Sequence, residues 1–125
     1  WWGDVEVPPG VDAEPLRIAL HGLAVATSGD YRRSFVEGGT IYAHILDPRT
    51  ARPATNQIAS VTILHRNCAQ ADAWASVLTM LEAAEEMATA EREGLAAHII
   101  GRLIKRPGTN VPDLPTATEC TVQIK

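Results

Sequence analysis

The sequence predicts an α+β fold, a mainly antiparallel β-sheet with one or two helices packed on it. Short apolar segments with strand patterns both precede and follow one helical region, which is the order typical of this class. Gly and Pro residues separate the segments closely, as expected for antiparallel connections. With 125 residues, the chain is long enough for a single domain with a real core, or for part of a larger one.

Six strands are predicted before the helices. Residues 16–20 carry apolar side chains at every second position, and residues 58–64 are rich in β-branched side chains. Glu37-Gly38-Gly39 lies between two further segments and predicts a β-hairpin. The six predicted segments are Trp1–Val7, Leu16–Leu20, Leu23–Thr27, Tyr31–Val36, Thr40–Leu46 and Ile58–Leu64.

Turns and loops are predicted between these strands. Ser28-Gly29-Asp30 combines a permissive glycine with an aspartate that favours local hydrogen bonds, so a turn is expected there. Asp47-Pro48 ends the second arm of the hairpin, because proline disfavours helical backbone in the preceding residue. Residues 49–56 then form a predicted loop.

The helical region follows the sixth strand. Asn67 is a good N-cap for a helix from Cys68 to Glu82, and a second helix is expected from Glu82 to Glu93 with Gly94 as its C-cap. Beyond it, the sequence predicts strands at 95–100 and 118–124 with a proline-rich loop at 102–116. The apolar side of the first helix is predicted to consist of Ala71, Val77, Leu78 and Leu81.

Composition argues against several classes of protein. The net charge of −4 is spread along the chain without a basic stripe, which disfavours nucleic-acid binding. No apolar run approaches the roughly 18 residues of a membrane helix, and two cysteines are too few for a disulfide framework. Because the chain starts with Trp1 and not Met, we expect that its native start lies elsewhere, and its compartment cannot be read from it.

Two residues of the first predicted helix form a candidate metal site. Asp72 and Ser76 are four residues apart, so their side chains point the same way. Carboxylate and hydroxyl oxygens are hard ligands suited to Mg²⁺. The alternative is an ordinary solvated aspartate and a serine bonded to its own helix backbone.

Three other features carry weaker indications. His44 and Asp47 lie where a strand ends, a common place for functional residues, but they also fit an ordinary turn. The Ser28-Gly29-Asp30 segment offers backbone N–H groups to an anion without the spacing of a phosphate-binding loop. Trp74 is expected in the core and not as a platform for a flavin.

Taken together, four motifs in order resemble the ApbE family of FAD:protein FMN transferases. That family has A-T-S-G-D-Y, then H-I-I-D-P-x-T-G-x-P, then S-V-T-V and A-D-A-x-x-T. The corresponding segments here are Ala26 to Tyr31, His44 to Thr50, Ser60 to Thr62, and Ala71 to Ala73 with Ser76.

The resemblance implies a Mg²⁺-dependent enzyme that cleaves FAD, transfers FMN to a threonine of a target flavoprotein and releases AMP. It places Asp72 and Ser76 on the metal-binding positions and Leu46 on a position that contacts FAD. His44 falls on the histidine of the same corner, where we expect it to contact FAD or act as a catalytic base. The fold implied is ApbE-like and T-fold-like, and it is incomplete relative to the family.

The chain also departs from the family pattern. Ala51 replaces a usual glycine, and Ser76 replaces a threonine. Family members are more than twice as long, so residues 1–125 match a C-terminal part whose missing N-terminal half supplies much of the flavin cleft. Family members are commonly lipoproteins of the bacterial cell envelope. A FAD pyrophosphatase giving FMN and AMP, and a non-catalytic flavin-binding or structural module, remain open alternatives.

Overall fold

The computed structural model describes residues 1–9, 11–29, 34–43, 46–53, 58–81, 83–102 and 117–122. Within these ranges the chain forms two helices, α1 (Cys68–Thr79) and α2 (Ala83–Arg92), and ten strands. The strands are β1 (Trp2–Val5), β2 (Leu16–Ala19), β3 (Ala24–Gly29), β4 (Ser34–Glu37), β5 (Thr40–Ala43), β6 (Leu46–Asp47), β7 (Arg52–Pro53), β8 (Ile58–His65), β9 (Ala96–Arg102) and β10 (Ala117–Val122).

The main sheet has four strands in the order β10-β9-β8-β3, and every neighbouring pair is antiparallel. Both helices lie in the connection from β8 to β9. Helix α1 packs against β3 and β8, whereas α2 contacts β9 and β10. This arrangement confirms the predicted α+β class with a mainly antiparallel sheet.

The hydrophobic core lies between the main sheet and α1. On β8, Val61 and Ile63 are fully buried against this helix, and their ladder partners on β9 are Ile99 and Ala97. Ser60 and Thr62, which alternate with them along the strand and face the other side of the sheet, are also buried. A strand that is buried on both faces explains why β8 is rich in β-branched residues.

Three two-stranded ribbons accompany the main sheet: β1–β2, β4–β5 and β6–β7. The β4–β5 ribbon confirms the predicted hairpin. Gly38 and Gly39 both have positive φ, 58° and 80°, which is the requirement of a type I′ turn. Gly94, with φ of 66°, likewise confirms the predicted end of the second helix.

Several predicted boundaries are wrong. Ser28 and Gly29 belong to β3 and not to a turn, because they pair with Val61 and Ser60 in the β3–β8 ladder. Cross-strand hydrogen bonds thus outweigh the local turn preference. Two residues of the predicted 49–56 loop form β7, which pairs with β6.

Helix α1 is also shorter than predicted, and its buried face includes the predicted Ala71 and Leu78 but not Val77. It ends at Thr79 and not at Glu82, since the backbone N–H groups of Met80 and Leu81 bond three residues back, to Val77 and Leu78. Val77 is 36% exposed, whereas Ala75, which was not predicted, is fully buried. Three predictions fall on residues that the structure does not describe: the site role of His44, the turn at Asp30 and most of the loop at 102–116.

Candidate functional site

Helix α1 fixes the orientation of the two predicted metal ligands. Its N-cap Asn67 has extended backbone and accepts a hydrogen bond from the Gln70 backbone N–H at 3.1 Å. The helix buries Ala71 and Ala75 against the sheet. Because each predicted ligand follows one of these alanines, both lie at the edge of the buried face, with Asp72 exposed and Ser76 half-buried.

Strand β3 contacts this helix near its C-terminal end, where Ser28 lies next to Ser76. The Oγ atoms of Ser28 and Ser76 lie 3.2 Å apart and share a hydrogen bond. Ser28 points to the helix side of the sheet because it pairs with Val61, which packs under α1. Its neighbour Thr27 points to the other face and bonds Thr62 through the two Oγ1 atoms at 2.8 Å.

Sequence reasoning missed this role of Ser28. The sequence placed it in a turn, where only backbone N–H groups were expected to matter. The indication that was available is the β3–β8 register, which puts a small polar side chain on the helix face beside a helical serine. The register depends on how two distant segments pair, so it could not be predicted from the local sequence, which favours a turn at Ser28.

Asp72 and Ser76, one helical turn apart on α1, offer a carboxylate and a hydroxyl group, and the Ser28 hydroxyl group bonds to that of Ser76. Such hard oxygens suit Mg²⁺, which commonly keeps several waters and takes only one or two carboxylates from the protein. No cluster of three or more His, Cys, Asp or Glu side chains that could hold a metal is found in the described part of the chain. A carboxylate and a hydroxyl group from the protein would suit a Mg²⁺ ion that keeps part of its water.

The β6–β7 ribbon forms the corner that carries Leu46 and Asp47. The Asp47 carboxylate accepts hydrogen bonds from the Arg49 backbone N–H at 2.8 Å and from its guanidinium at 3.1 and 3.2 Å. These bonds hold the pKa of the Asp47 carboxyl below its usual value. Asp47 therefore serves the turn, which is the ordinary role that the sequence left open for it.

Leu46 is the other residue of this corner that the sequence singled out. Its side chain is 55% exposed, so it presents apolar surface outward from the ribbon. Arg49 also reaches Glu85 of α2, with Nη1 and Oε2 3.5 Å apart, which ties the corner to the second helix. His44 lies outside the described residues, so the structure does not test its relation to Leu46 or Asp72.

Other flagged side chains have structural roles. Trp74 is partly buried against the core, as predicted. The His65 ring accepts a hydrogen bond from the Asn67 backbone N–H at 3.0 Å, next to the start of α1. Among the described helices, none is long and apolar enough to cross a membrane.

Comparison with known proteins gives the decisive observation. The model of the ApbE family matches residues 1–99. The chain belongs to the ApbE family. A FAD:protein FMN transferase of Vibrio cholerae is 47% identical over 85 residues, and one of Haemophilus influenzae is 35% identical over 104 residues.

Solved structures agree with this assignment. The apo flavinyl transferase ApbE of Pseudomonas stutzeri superposes with a TM-score of 0.74 at 29% identity, covering 97% of this chain and 34% of that one. An ApbE protein of Thermotoga maritima gives a TM-score of 0.65 at 34% identity, covering 79% of this chain and 32% of that one. The resemblance to the ApbE family inferred from the four motifs is thus confirmed.

The chain spans only part of these ApbE proteins. Its matched region covers 66% of this chain and 25% of the Vibrio cholerae transferase, and 82% of this chain and 30% of the Haemophilus influenzae protein. The chain thus spans about a quarter to a third of the length of the ApbE proteins that it matches.

Proposed function

We propose that this chain is part of an FAD:protein FMN transferase, which moves FMN from FAD to a threonine of a target flavoprotein and releases AMP. The geometric observation that supports the proposal is that Asp72 and Ser76 lie one helical turn apart on α1 and that Ser76 bonds Ser28 of β3. Relatives at up to 47% identity bear the name of this activity.

Asp72 and Ser76 would hold the Mg²⁺ that we propose for this reaction. When bound, the ion would neutralise charge on the pyrophosphate of FAD as its P–O bond breaks. Asp72 is exposed and so is accessible to a phosphate-bearing ligand, whereas half-buried Ser76 has its oxygen fixed by the packing of α1 on β3. The serine keeps the hydroxyl that ligation requires.

The transfer is a substitution at phosphorus. The acceptor threonine oxygen forms a bond to the phosphorus of the FMN part, and the bond from that phosphorus to the oxygen of AMP breaks. The threonine proton passes to a base, and AMP leaves with the bridging oxygen. We propose His44 as that base, because it precedes the corner of Leu46 and Asp47 by two residues and a neutral imidazole accepts protons near pH 7.

The remainder of the site would come from the part of the transferase that this chain does not span. Leu46 offers exposed apolar surface to a flavin, but one side chain does not form a cleft. We therefore propose that residues 1–125 form the C-terminal part of the domain and that the N-terminal half completes the FAD site. A location in the bacterial cell envelope, common in the family, is part of the proposal.

The products distinguish the candidate functions. The complete enzyme is incubated with FAD, Mg²⁺ and a threonine-bearing acceptor peptide, and the products are resolved by mass spectrometry. Covalent FMN on the peptide together with free AMP supports the transferase. Free FMN and AMP without labelling would indicate a FAD pyrophosphatase, and neither product would indicate a flavin-binding module, so both results contradict the proposal.

The proposed role of His44 makes a separate prediction. In His44→Asn the side chain keeps similar size but loses its ability to accept a proton at neutral pH, so the transfer rate should fall about 10²-fold or more with little change in FAD affinity. Stopped-flow transfer rates and equilibrium FAD titration measure the two quantities. Equal losses in both would point to a binding role.

A further inference from the structure

The hydrogen bond between Ser28 and Ser76 joins a strand to a helix at the edge of the candidate metal site. The two Oγ atoms are 3.2 Å apart, although the residues are 48 positions apart in the sequence. Both residues are half-buried. The exposed Asp72, the predicted carboxylate ligand, lies one helical turn before Ser76 on α1.

The hydroxyl groups of Ser76 and Thr79, both in α1, have different hydrogen-bond partners. Thr79 donates a short hydrogen bond of 2.6 Å to the carbonyl oxygen of Ala75, four residues back, which is the common arrangement for helical serine and threonine. Ser76 instead bonds across to β3. A hydroxyl group on the neighbouring strand, and not a carbonyl group of its own helix, is therefore the partner that Ser76 has in this contact.

The direction of this hydrogen bond matters for metal binding. A hydroxyl group has one proton and two lone pairs. If Ser76 donates its proton to Ser28, both of its lone pairs stay available for a cation. If the bond ran the other way, one lone pair of Ser76 would be occupied by the Ser28 proton.

We propose that Ser28 is a positioning residue, which accepts the proton of Ser76 and fixes the orientation in which the Ser76 oxygen is offered to a divalent cation. The inference rests on the proposed function, in which Asp72 and Ser76 hold Mg²⁺. Ser28 acts through Ser76 and does not itself need to touch the cation. Outer groups that orient ligands in this way commonly change metal affinity about 10- to 100-fold when they are removed.

Thr27 provides a matched control. It precedes Ser28 on β3 and also forms a hydroxyl–hydroxyl bond, but to Thr62 on the opposite face of the sheet. Thr27→Val therefore removes a comparable bond from the same strand without touching the helix side. A loss of metal affinity that is specific to Ser28 cannot then be ascribed to a weakened strand.

The test measures Mn²⁺ affinity by electron paramagnetic resonance in the complete enzyme with FAD, and Ser76 side-chain couplings by NMR without metal. Ser28→Ala should weaken Mn²⁺ binding about 10-fold and convert one Ser76 rotamer into an average of several. Ser28→Thr should restore both readouts, and Thr27→Val should change neither. If Ser28→Ala does not fold, Ser28→Cys tests the same prediction, because a thiol is a weak acceptor.

The outcomes separate this inference from the proposed function. If Asp72→Asn weakens Mn²⁺ binding but Ser28→Ala leaves both affinity and rotamer unchanged, the inference is overturned and the metal site stands. If Thr27→Val weakens binding as much as Ser28→Ala, the positioning role is also overturned. If Asp72→Asn leaves the affinity unchanged, the metal site of the proposed function is itself contradicted.

Discussion

Ala51 adopts a backbone conformation that usually favours glycine. Its φ of 54° lies in the left-handed region, and its backbone N–H bonds the Asp47 carbonyl at 2.8 Å to close the β6–β7 turn. Alanine carries a Cβ that is unfavourable there. The turn is thus retained at a local cost, so the glycine-to-alanine departure noted in the sequence leaves a closed turn in place.

The cost at Ala51 predicts a stabilising substitution. Ala51→Gly should raise the free energy of unfolding by about 0.5–1 kcal/mol, because relief of the left-handed strain exceeds the added flexibility of the unfolded chain. Urea unfolding measures the change. Ala88→Gly, at an exposed position inside α2, should do the opposite by about 1 kcal/mol, and a loss of stability in both variants would refute the strain argument.

Glu86 is a buried carboxyl group near the start of α2. The residue is 4% exposed, and its Oε2 has no hydrogen-bond partner in the part of the chain that the structure describes. Burial away from water raises the pKa of Glu86 to about 8. The folded chain therefore keeps this proton at pH values where the unfolded chain has lost it.

The raised pKa of Glu86 predicts how stability depends on pH. The stability that comes from keeping Glu86 protonated is fully present below its ordinary pKa of 4.5. It is lost as the pH rises through the folded-state pKa of about 8, because the unfolded chain releases the proton at lower pH. Glu86→Gln should remove this loss and raise the free energy of unfolding at pH 8 by on the order of 3 kcal/mol. Chemical unfolding from pH 4 to 9 tests this, with exposed Glu91→Gln as the control; a slope that persists in Glu86→Gln would assign it to another group.

At the scale of elements, the sequence was most informative where packing and local preference agree. Residues of β8 are β-branched and buried on both faces, and Asn67 is both a good cap by type and the observed cap of α1. Predictions were wrong where long-range contacts decide. Ser28 and Gly29 have turn preferences, yet the ladder to β8 keeps them in β3.

The buried face of α1 shows the same limit and gives a prediction. Val77 and Leu78 are adjacent and equally apolar, but Leu78 is fully buried and Val77 is 36% exposed. Leu78→Ala should lower the free energy of unfolding by about 2–5 kcal/mol through the cavity that it leaves. Val77→Ala should cost less than about 1 kcal/mol, as measured by thermal or urea unfolding, and similar losses in both would contradict this placement of the helix.

The candidate site was predictable only in part for the same reason. Spacing along one helix was enough to pair Asp72 with Ser76, because helical geometry is local. The contribution of Ser28 depends on how α1 crosses β3, which no local pattern in the sequence encodes. The partner of the Ser76 hydroxyl group is thus determined by a contact between distant segments.

At the scale of the whole molecule, the chain corresponds to one part of the longer ApbE proteins. The superposition on the Pseudomonas stutzeri flavinyl transferase includes 97% of this chain but only 34% of that protein. In the proposed transferase, the exposed side chains of Asp72 and Leu46 would be surfaces that its remaining part completes. In the proposed function, Asp72 holds the cation that FMN transfer needs.

Transfer of FMN by Asp72→Asn in the complete enzyme tests that claim most directly. Mass spectrometry of the acceptor peptide after incubation with FAD and Mg²⁺ measures the covalent FMN formed. We predict that Asp72→Asn abolishes labelling while its circular dichroism and unfolding midpoint stay close to those of the wild type, because the side chain is exposed. Asp12→Asn, also exposed, should label normally, and undiminished labelling by Asp72→Asn would contradict the account.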